Sequence, residues 1–309
     1  MEQPLPDLST HIAGLTLSNP VMTASGTFGY GGEFRELVDL RRLGAIIVKG
    51  LSLQPSPGNP PPRIVETPCG MLNAIGLENI GITEFRSTRL KFLRKLGTPI
   101  IVNIYGQRQA DYVALAEMID DETDIAAIEV NISCPNVKAG GIAFGVDAAA
   151  STGVTRRIRA RTAKPLILKL SPKVTDSVEI ARAVEAAGAD AVSQINTITG
   201  MAIDIVTRRP KLAYITGGLS GPAIRPVAVR MVWQVASVVD IPVIGIGGIM
   251  NGRDALEFII AGASAVQVGT ANFINPGVTM DVIDEIRDFM QKQDILQISD
   301  LVGSLVLPS

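Results

Sequence analysis

Eight short runs rich in β-branched residues recur along the chain: PVMTAS (20–25), AIIVKG (45–50), IIVNI (100–104), AIEVNIS (127–133), LILKLS (166–171), AVSQIN (191–196), PVIGIGG (242–248) and AVQVGT (265–270). Helical patterns lie between them, as in TDSVEIARAVEAAG (175–188), where Thr175 is placed to cap a helix and Gly188 to stop it. The junctions RRLGAIIVKG, EAAGADAVSQIN and IIAGASAVQVGT share one helix–glycine–strand order. Alternating strands and helices demand a parallel sheet covered by helices. Eight such units predict a single (β/α)8 TIM barrel spanning 1–309, with a doubly wound open sheet as its competitor.

The intervals are uneven, and the barrel is expected to carry inserted loops after strands 2, 4 and 6. Segment 51–80 is rich in proline and glycine and follows a strand's C-terminal end, where barrel loops shape active sites, so it is read as a lid or substrate clamp. The opening THIAGLTLSNP alternates around a glycine and is expected to form an N-terminal β-hairpin closing the barrel's bottom. A formal charge of −2 offers no basic field for nucleic acid. No run of about 18 apolar residues predicts a membrane span, and MEQPLPDLST lacks the pattern of a secretion signal. With two cysteines, Cys69 and Cys134, neither a disulfide framework nor a four-cysteine cluster can form, and a cytoplasmic protein is expected.

Side chains at i and i+2 of a strand share a face. In AIEVNIS, the apolar Ile128, Val130 and Ile132 would face the helices, leaving Glu129 and Asn131 inside. The same reasoning turns Ile47 and Lys49, Ile101 and Asn103, Ile167 and Lys169, Gln194 and Asn196, Gly245 and Gly247, and Gln267 and Gly269 inward. The uppermost inward layer is then lysines, asparagines and glycines, where a barrel held only by packing would carry Val, Ile and Leu. Lysine has no acceptor with which to satisfy a neighbouring lysine, so such a crown calls for a polar, partly anionic ligand. Glu129 and Gln194 are read as residues beneath it that neutralise or orient Lys169 or Lys49.

The last two strands run into GIGGIMNGRDALEF and VGTANF, whose open backbone N–H groups suit a phosphate. Met250 stands where a dinucleotide fingerprint needs its third glycine, and no Walker loop exists. A phosphate alone does not separate a flavin mononucleotide from a sugar phosphate. The single histidine, His11, falls in the N-terminal hairpin, which disfavours a Ser–His triad and ordinary zinc chemistry. Cys134, in the turn SCPN after the fourth strand, is aimed by Pro135; near two lysines its thiol could ionise and accept a proton. Cys69 is read as structural.

The stretches ASGTFGYGGEF, VKGLSLQPSPGNPPPRIVETPCGMLNAIGLENIG, IEVNISCPNVKAGG, NTITGMAIDI, TGGLSGPAIRP and GIGGI resemble the class 1 dihydroorotate dehydrogenases nearly end to end. Within that class, NAIGLEN and SCPNVKAGG are similar to the NAD-linked 1B type, and the fumarate-linked 1A type is the alternative. The resemblance implies an FMN-bearing barrel that oxidises (S)-dihydroorotate to orotate in pyrimidine synthesis. It implies that C6 passes hydride to the flavin N5 while Cys134 takes the C5 proton. FMN would be held by Ser25, Lys49, Gly50, Asn103, Asn131, Lys169, the backbone at Ile195, Gly221, and, around the phosphate, Gly247, Gly248, Gly269 and Thr270. The substrate would be held by Lys49, Asn73, Ala74, Ile75, Gly76, Leu77, Asn131, Asn196 and Thr197. It implies no metal in this chain. It also implies a partner subunit carrying FAD and a [2Fe–2S] cluster, in a heterotetramer built around a homodimer of catalytic subunits.

Two other readings remain at this stage. A flavin-free phosphosugar aldolase or isomerase would use Lys169 or Lys49 as a Schiff base. A non-catalytic nucleotide-binding subunit would bind ligand without needing Cys134.

Overall fold

The eight β-branched runs form eight parallel strands: β1 (Val21–Thr23), β2 (Ile46–Leu51), β3 (Ile100–Ile104), β4 (Ile125–Asn131), β5 (Leu166–Lys169), β6 (Ala191–Gln194), β7 (Val243–Ile246) and β8 (Ala263–Val268). The computed structural model describes residues 4–133 and 141–308. Hydrogen-bonded neighbours run β1, β8, β7, β6, β5, β4, β3, β2. The seam between β1 and β2 is closed by a parallel bridge at Met22 and Ala45, and by Thr23, whose hydroxyl donates to the Ile47 carbonyl and accepts from the Ile47 amide. Gly44 makes that seam workable: its amide donates to the Val21 carbonyl, and a Cβ there would lie 2.1 Å from the Asn19 carbonyl oxygen. The result is the (β/α)8 barrel of the sequence reading.

Helices α1 (Gln109–Asp120), α2 (Ala148–Arg159), α3 (Ser177–Ala186), α4 (Arg225–Ala236), α5 (Gly252–Ile260) and α6 (Val278–Lys292) follow β3 to β8 in turn. A helical stretch over 81–93 precedes β3. The start of α3 differs from the expectation. Asp176, not Thr175, caps it, because the Asp176 carboxylate accepts from the amides of Val178 and Glu179. Gly188 does stop it, with φ at +99° just beyond the C-cap Ala187.

Two apolar layers follow from the strand period. Val48, Val102, Val130, Leu168, Val192 and Val266 pack outward against the helices. Met22, Ile47, Ile101, Ala127, Ile167, Ala191, Ile244 and Ala265 fill the lower interior, together with Ile12 and Leu17. Those last two come from the antiparallel hairpin Thr10–Ile12 and Leu15–Leu17, which therefore plugs the barrel's bottom. His11 points away from this plug, exposed, with its Nδ1 3.1 Å from the Thr16 hydroxyl.

Two of the inserted loops join into one structure. Ile64–Thr67 and Gly70–Asn73, after β2, pair with Thr216–Ser220 and Ile198–Met201, after β6, in a four-stranded antiparallel sheet. The register sets Asn73 opposite Gly218 and Leu72 opposite Leu219. A small apolar cluster of Leu72, Ala74 and Leu212 holds this canopy together. The loop after β4 contributes a short helix, Gly141–Val146.

Candidate active site

Between the strands' C-terminal ends and the canopy lies a cavity of about 280 Å³. Its walls include Ser25 after β1, Lys49 and Gly50 on β2, Asn103 on β3, Asn131 on β4 and Lys169 on β5. Ile195, Asn196 and Thr197 line it after β6, Gly247 and Gly248 after β7, and Gly269 and Thr270 after β8. The canopy adds Asn73, Ile75, Gly76, Leu77 and Gly221. Residues scattered over most of the chain thus meet in one place, because every barrel strand presents its C-terminal end to the same face.

Beneath the cavity sits Glu129, with no exposed surface. Its Oε2 accepts from Asn103 Nδ2 at 2.6 Å and lies 3.8 Å from Lys169 Nζ. Its Oε1 accepts from Ser193 Oγ at 2.8 Å and Gln267 Nε2 at 2.6 Å. A buried carboxylate is tolerable only with such compensation. Lys169 in turn reaches Ser25 Oγ at 3.5 Å. Asn103 Oδ1 is buried and has no partner among the described residues.

Higher on the wall, Asn131 Oδ1 accepts from the Ser133 amide and hydroxyl at 3.2 and 2.9 Å, and from Asn196 Nδ2 at 3.4 Å. Asn196 also donates to Ser133 Oγ at 2.6 Å. Burial pushes the Lys49 ammonium below the usual lysine range; the Glu78 carboxylate opposes that shift and the Arg63 guanidinium adds to it. Arg63 and Glu78 form an ion pair with each other, and Arg63 also donates to the carbonyls of Pro57 and Asn59. Asn59 closes the clasp: its amide donates to the Ile75 carbonyl and its side chain to that of Ala74. The segment over 73–78 is therefore held from behind, leaving its inner face to the cavity.

Three expectations are corrected here. Gln194 faces outward, where its Nε2 donates to the Met231 carbonyl on α4 at 2.7 Å, and Ser193 takes the inward place beside Glu129. Gly245 also faces outward: a Cβ there would lie 2.6 Å from the Phe258 ring on α5, so its smallness admits a helix residue and not a ligand. The interior positions of β7 are Ile244, in the lower interior layer, and Ile246, on the cavity wall. Ala74 is buried in the canopy's apolar cluster and its amide donates to the Arg63 carbonyl, so it does not line the cavity.

Cys134 lies outside the described residues, immediately after Ser133. Cys69 is exposed in the canopy turn; its carbonyl, not its sulfur, makes the contact, accepting from the Ala223 amide. Ser193, Thr27, Met71, Glu78, Ser220 and Phe273 join the site without having been expected from the sequence. Of these only Glu78 carried a sequence signal, a lone charge within NAIGLEN.

The residues present fit a planar, phosphate-bearing cofactor. The orphaned Asn103 oxygen asks for an N–H donor, and two lysines offer positive charge at the cavity wall. At the far end Gly221, Gly247 and Gly248 line the cavity with positive φ, while Thr270 Oγ1 donates to Ser220 Oγ at 2.8 Å. A Cβ at Gly247 would lie 2.8 Å from Ala228 on α4 and one at Gly248 2.7 Å from the Gly221 carbonyl oxygen, so glycine there lets the backbone turn closely.

Fold and site together define a (β/α)8-barrel protein with a polar, lysine- and asparagine-lined cavity at the strands' C-terminal ends. The family model for dihydroorotate dehydrogenase matches residues 7–290, and the chain belongs to that family. It is 59% identical over 301 residues to the dihydroorotate dehydrogenase B (NAD(+)) catalytic subunit of Geotalea uraniireducens, covering 97% of this chain and 99% of that one. The catalytic subunit of the same name from Geobacter sulfurreducens is 59% identical over 300 residues, covering 97% and 98%. The crystal structure of DHODH in complex with ferulenol from Eimeria tenella superposes with a TM-score of 0.81 at 23% identity, over 98% of this chain and 91% of that one. That last likeness speaks to the fold. Among the described residues no helix is long and apolar enough to cross a membrane.

Proposed function

We propose that this chain is the FMN-bearing catalytic subunit of an NAD-linked, class 1B dihydroorotate dehydrogenase, a single cytoplasmic barrel domain that oxidises (S)-dihydroorotate to orotate in pyrimidine synthesis. The observation that carries the reading is the convergence of Lys49, Asn103, Asn131, Lys169 and Asn196 on one cavity, above a buried Glu129. Membership of the family supplies the substrate class.

When bound, FMN would supply the two-electron acceptor that oxidation of dihydroorotate at C6 requires. Ser25, Gly50, Asn103, Lys169 and Ile195 would hold its ring system, with Lys49 and Asn131 between it and the substrate. Gly221, Gly247, Gly248, Gly269 and Thr270 would take its sugar and phosphate end. Lys169 would balance negative charge gained at the cavity floor, which a buried site otherwise penalises. Asn73, Ile75, Gly76 and Leu77 would bind the substrate carboxylate and ring, assisted by Asn196 and Thr197. Cys134, as thiolate, would remove the C5 proton.

The chain holds too few cysteines for an iron–sulfur cluster of its own. Electrons would therefore leave through a partner subunit carrying FAD and [2Fe–2S], in a heterotetramer around a homodimer of this chain.

The test begins with the purified chain, expected to be yellow and to release FMN on denaturation. Anaerobic dihydroorotate should bleach it, and Cys134→Ser should keep FMN while slowing bleaching by orders of magnitude near neutral pH. A colourless protein that refuses FMN, or a Cys134→Ser variant bleached at the wild-type rate, would overturn the corresponding part. NAD reduction only with the FAD/iron–sulfur subunit present would support the electron route.

A further inference from the structure

We propose that Glu129 is a positioning residue that sets the polarity of the cavity floor: it holds Asn103 with its NH2 group downward and its carbonyl oxygen left for a ligand, so the floor selects a heterocycle that presents a ring N–H. The inference rests on the FMN reading above and adds to it the residue that dictates the recognition.

The argument is one of donors and acceptors. An ionised carboxylate can only accept hydrogen bonds. Glu129 is met by Asn103 Nδ2 at 2.6 Å, Gln267 Nε2 at 2.6 Å, Ser193 Oγ at 2.8 Å and, at 3.8 Å, Lys169 Nζ. Each of these groups comes from a different strand. Facing that carboxylate, the Asn103 amide has one acceptable orientation, nitrogen toward Glu129. Its oxygen is then left over: Asn103 Oδ1 is buried with no partner among the described residues, although Asn103 is only 1% exposed and borders the cavity. Gly50 keeps the place beside it open, since a Cβ at residue 50 would lie 2.7 Å from that oxygen. A buried acceptor left unpaired is costly until a ligand brings a donor. Oxidised isoalloxazine has a single ring N–H, at N3, and that is the group the floor would select.

Glu129→Gln reverses the logic. The oxygen of the introduced amide would take the donors Ser193 and Gln267, leaving its NH2 to face Asn103. Asn103 would then turn its oxygen down and its own NH2 toward the ligand. Exchanging the two groups, in Asn103→Asp/Glu129→Gln, restores an acceptor toward the cavity and keeps one buried negative charge.

The test measures binding of FMN and of N3-methyl-FMN to the full-length apoprotein by flavin fluorescence quenching, so no turnover is needed. Wild type should prefer FMN by about tenfold or more, the scale of leaving a buried acceptor unpaired. Glu129→Gln should lose that preference, and the exchanged double variant should keep it. A purely structural role would weaken both ligands alike and leave their ratio unchanged, so a Glu129→Gln variant that retains the preference overturns the proposal. Should Glu129→Gln fail to fold, the charge-preserving double variant decides: a folded double variant without the preference is equally fatal. Equal binding of the two flavins by wild type refutes the role of Glu129 alone, whereas binding of neither refutes the FMN reading and this proposal with it.

Discussion

Replacing Lys169 by methionine tests whether the crown's charges are balanced in the dry interior. Lys169 is 6% exposed and Glu129 0%. At their 3.8 Å separation the attraction is roughly 4 kcal/mol for an effective dielectric of about 20. Lys169→Met leaves the carboxylate with the neutral donors of Asn103, Ser193 and Gln267, which hydrogen-bond it without cancelling its charge. Breaking a buried pair in this way is expected to cost about 3–5 kcal/mol. Removing both charges, in Lys169→Met/Glu129→Gln, should cost clearly less than the two single losses added, with a coupling of about 2–3 kcal/mol. The assay is denaturant unfolding of the cofactor-free protein, followed by far-ultraviolet circular dichroism, so that ligand linkage does not mask the difference. Additive losses, or a Lys169→Met cost under about 1 kcal/mol, would refute the reasoning, because that is how solvent-exposed pairs behave.

The depressed Lys49 predicts two pH effects. Its folded value lies below its unfolded one, so between them the unfolded chain binds more protons and stability should rise with pH across that window. Over the same range Lys49 loses charge in the folded protein, so orotate should bind more weakly as pH rises. Lys49→Arg should remove this fall, because a guanidinium stays charged; calorimetric orotate titrations that show no difference between the two proteins would contradict it. Ile12→Ala, in the fully buried hairpin plug, should cost about 2–5 kcal/mol in thermal or denaturant melts while leaving the FMN stoichiometry intact. Loss of flavin with unchanged stability would instead tie the hairpin to the site.

Much of this is legible in the chain. Strand positions follow from β-branched runs, whose backbone preference is local. Lys49, Asn103, Asn131 and Lys169 can be turned inward because their strands carry plainly apolar partners at alternate positions. Alternation fails as a guide where that contrast is missing. AVSQIN offers polar residues on both faces, and the larger Gln194 reads as the inward one; the Met231 carbonyl on α4 gives it a partner outside. In VIGIGG, glycine reads as room for a ligand, whereas Gly245 is room for Phe258.

What the sequence determined by itself was the order and type of elements, the plug at the bottom, and a set of polar residues at strand ends, all consequences of local periodicity. What only the tertiary structure decided was pairing across distance. It seated Glu129 among donors from four other strands, joined the loops after β2 and β6 into one sheet, and clasped Arg63 to Glu78 at the edge of the cavity. Those choices depend on which groups meet once the barrel closes, and partners tens of residues apart leave no mark on the periodicity of either segment.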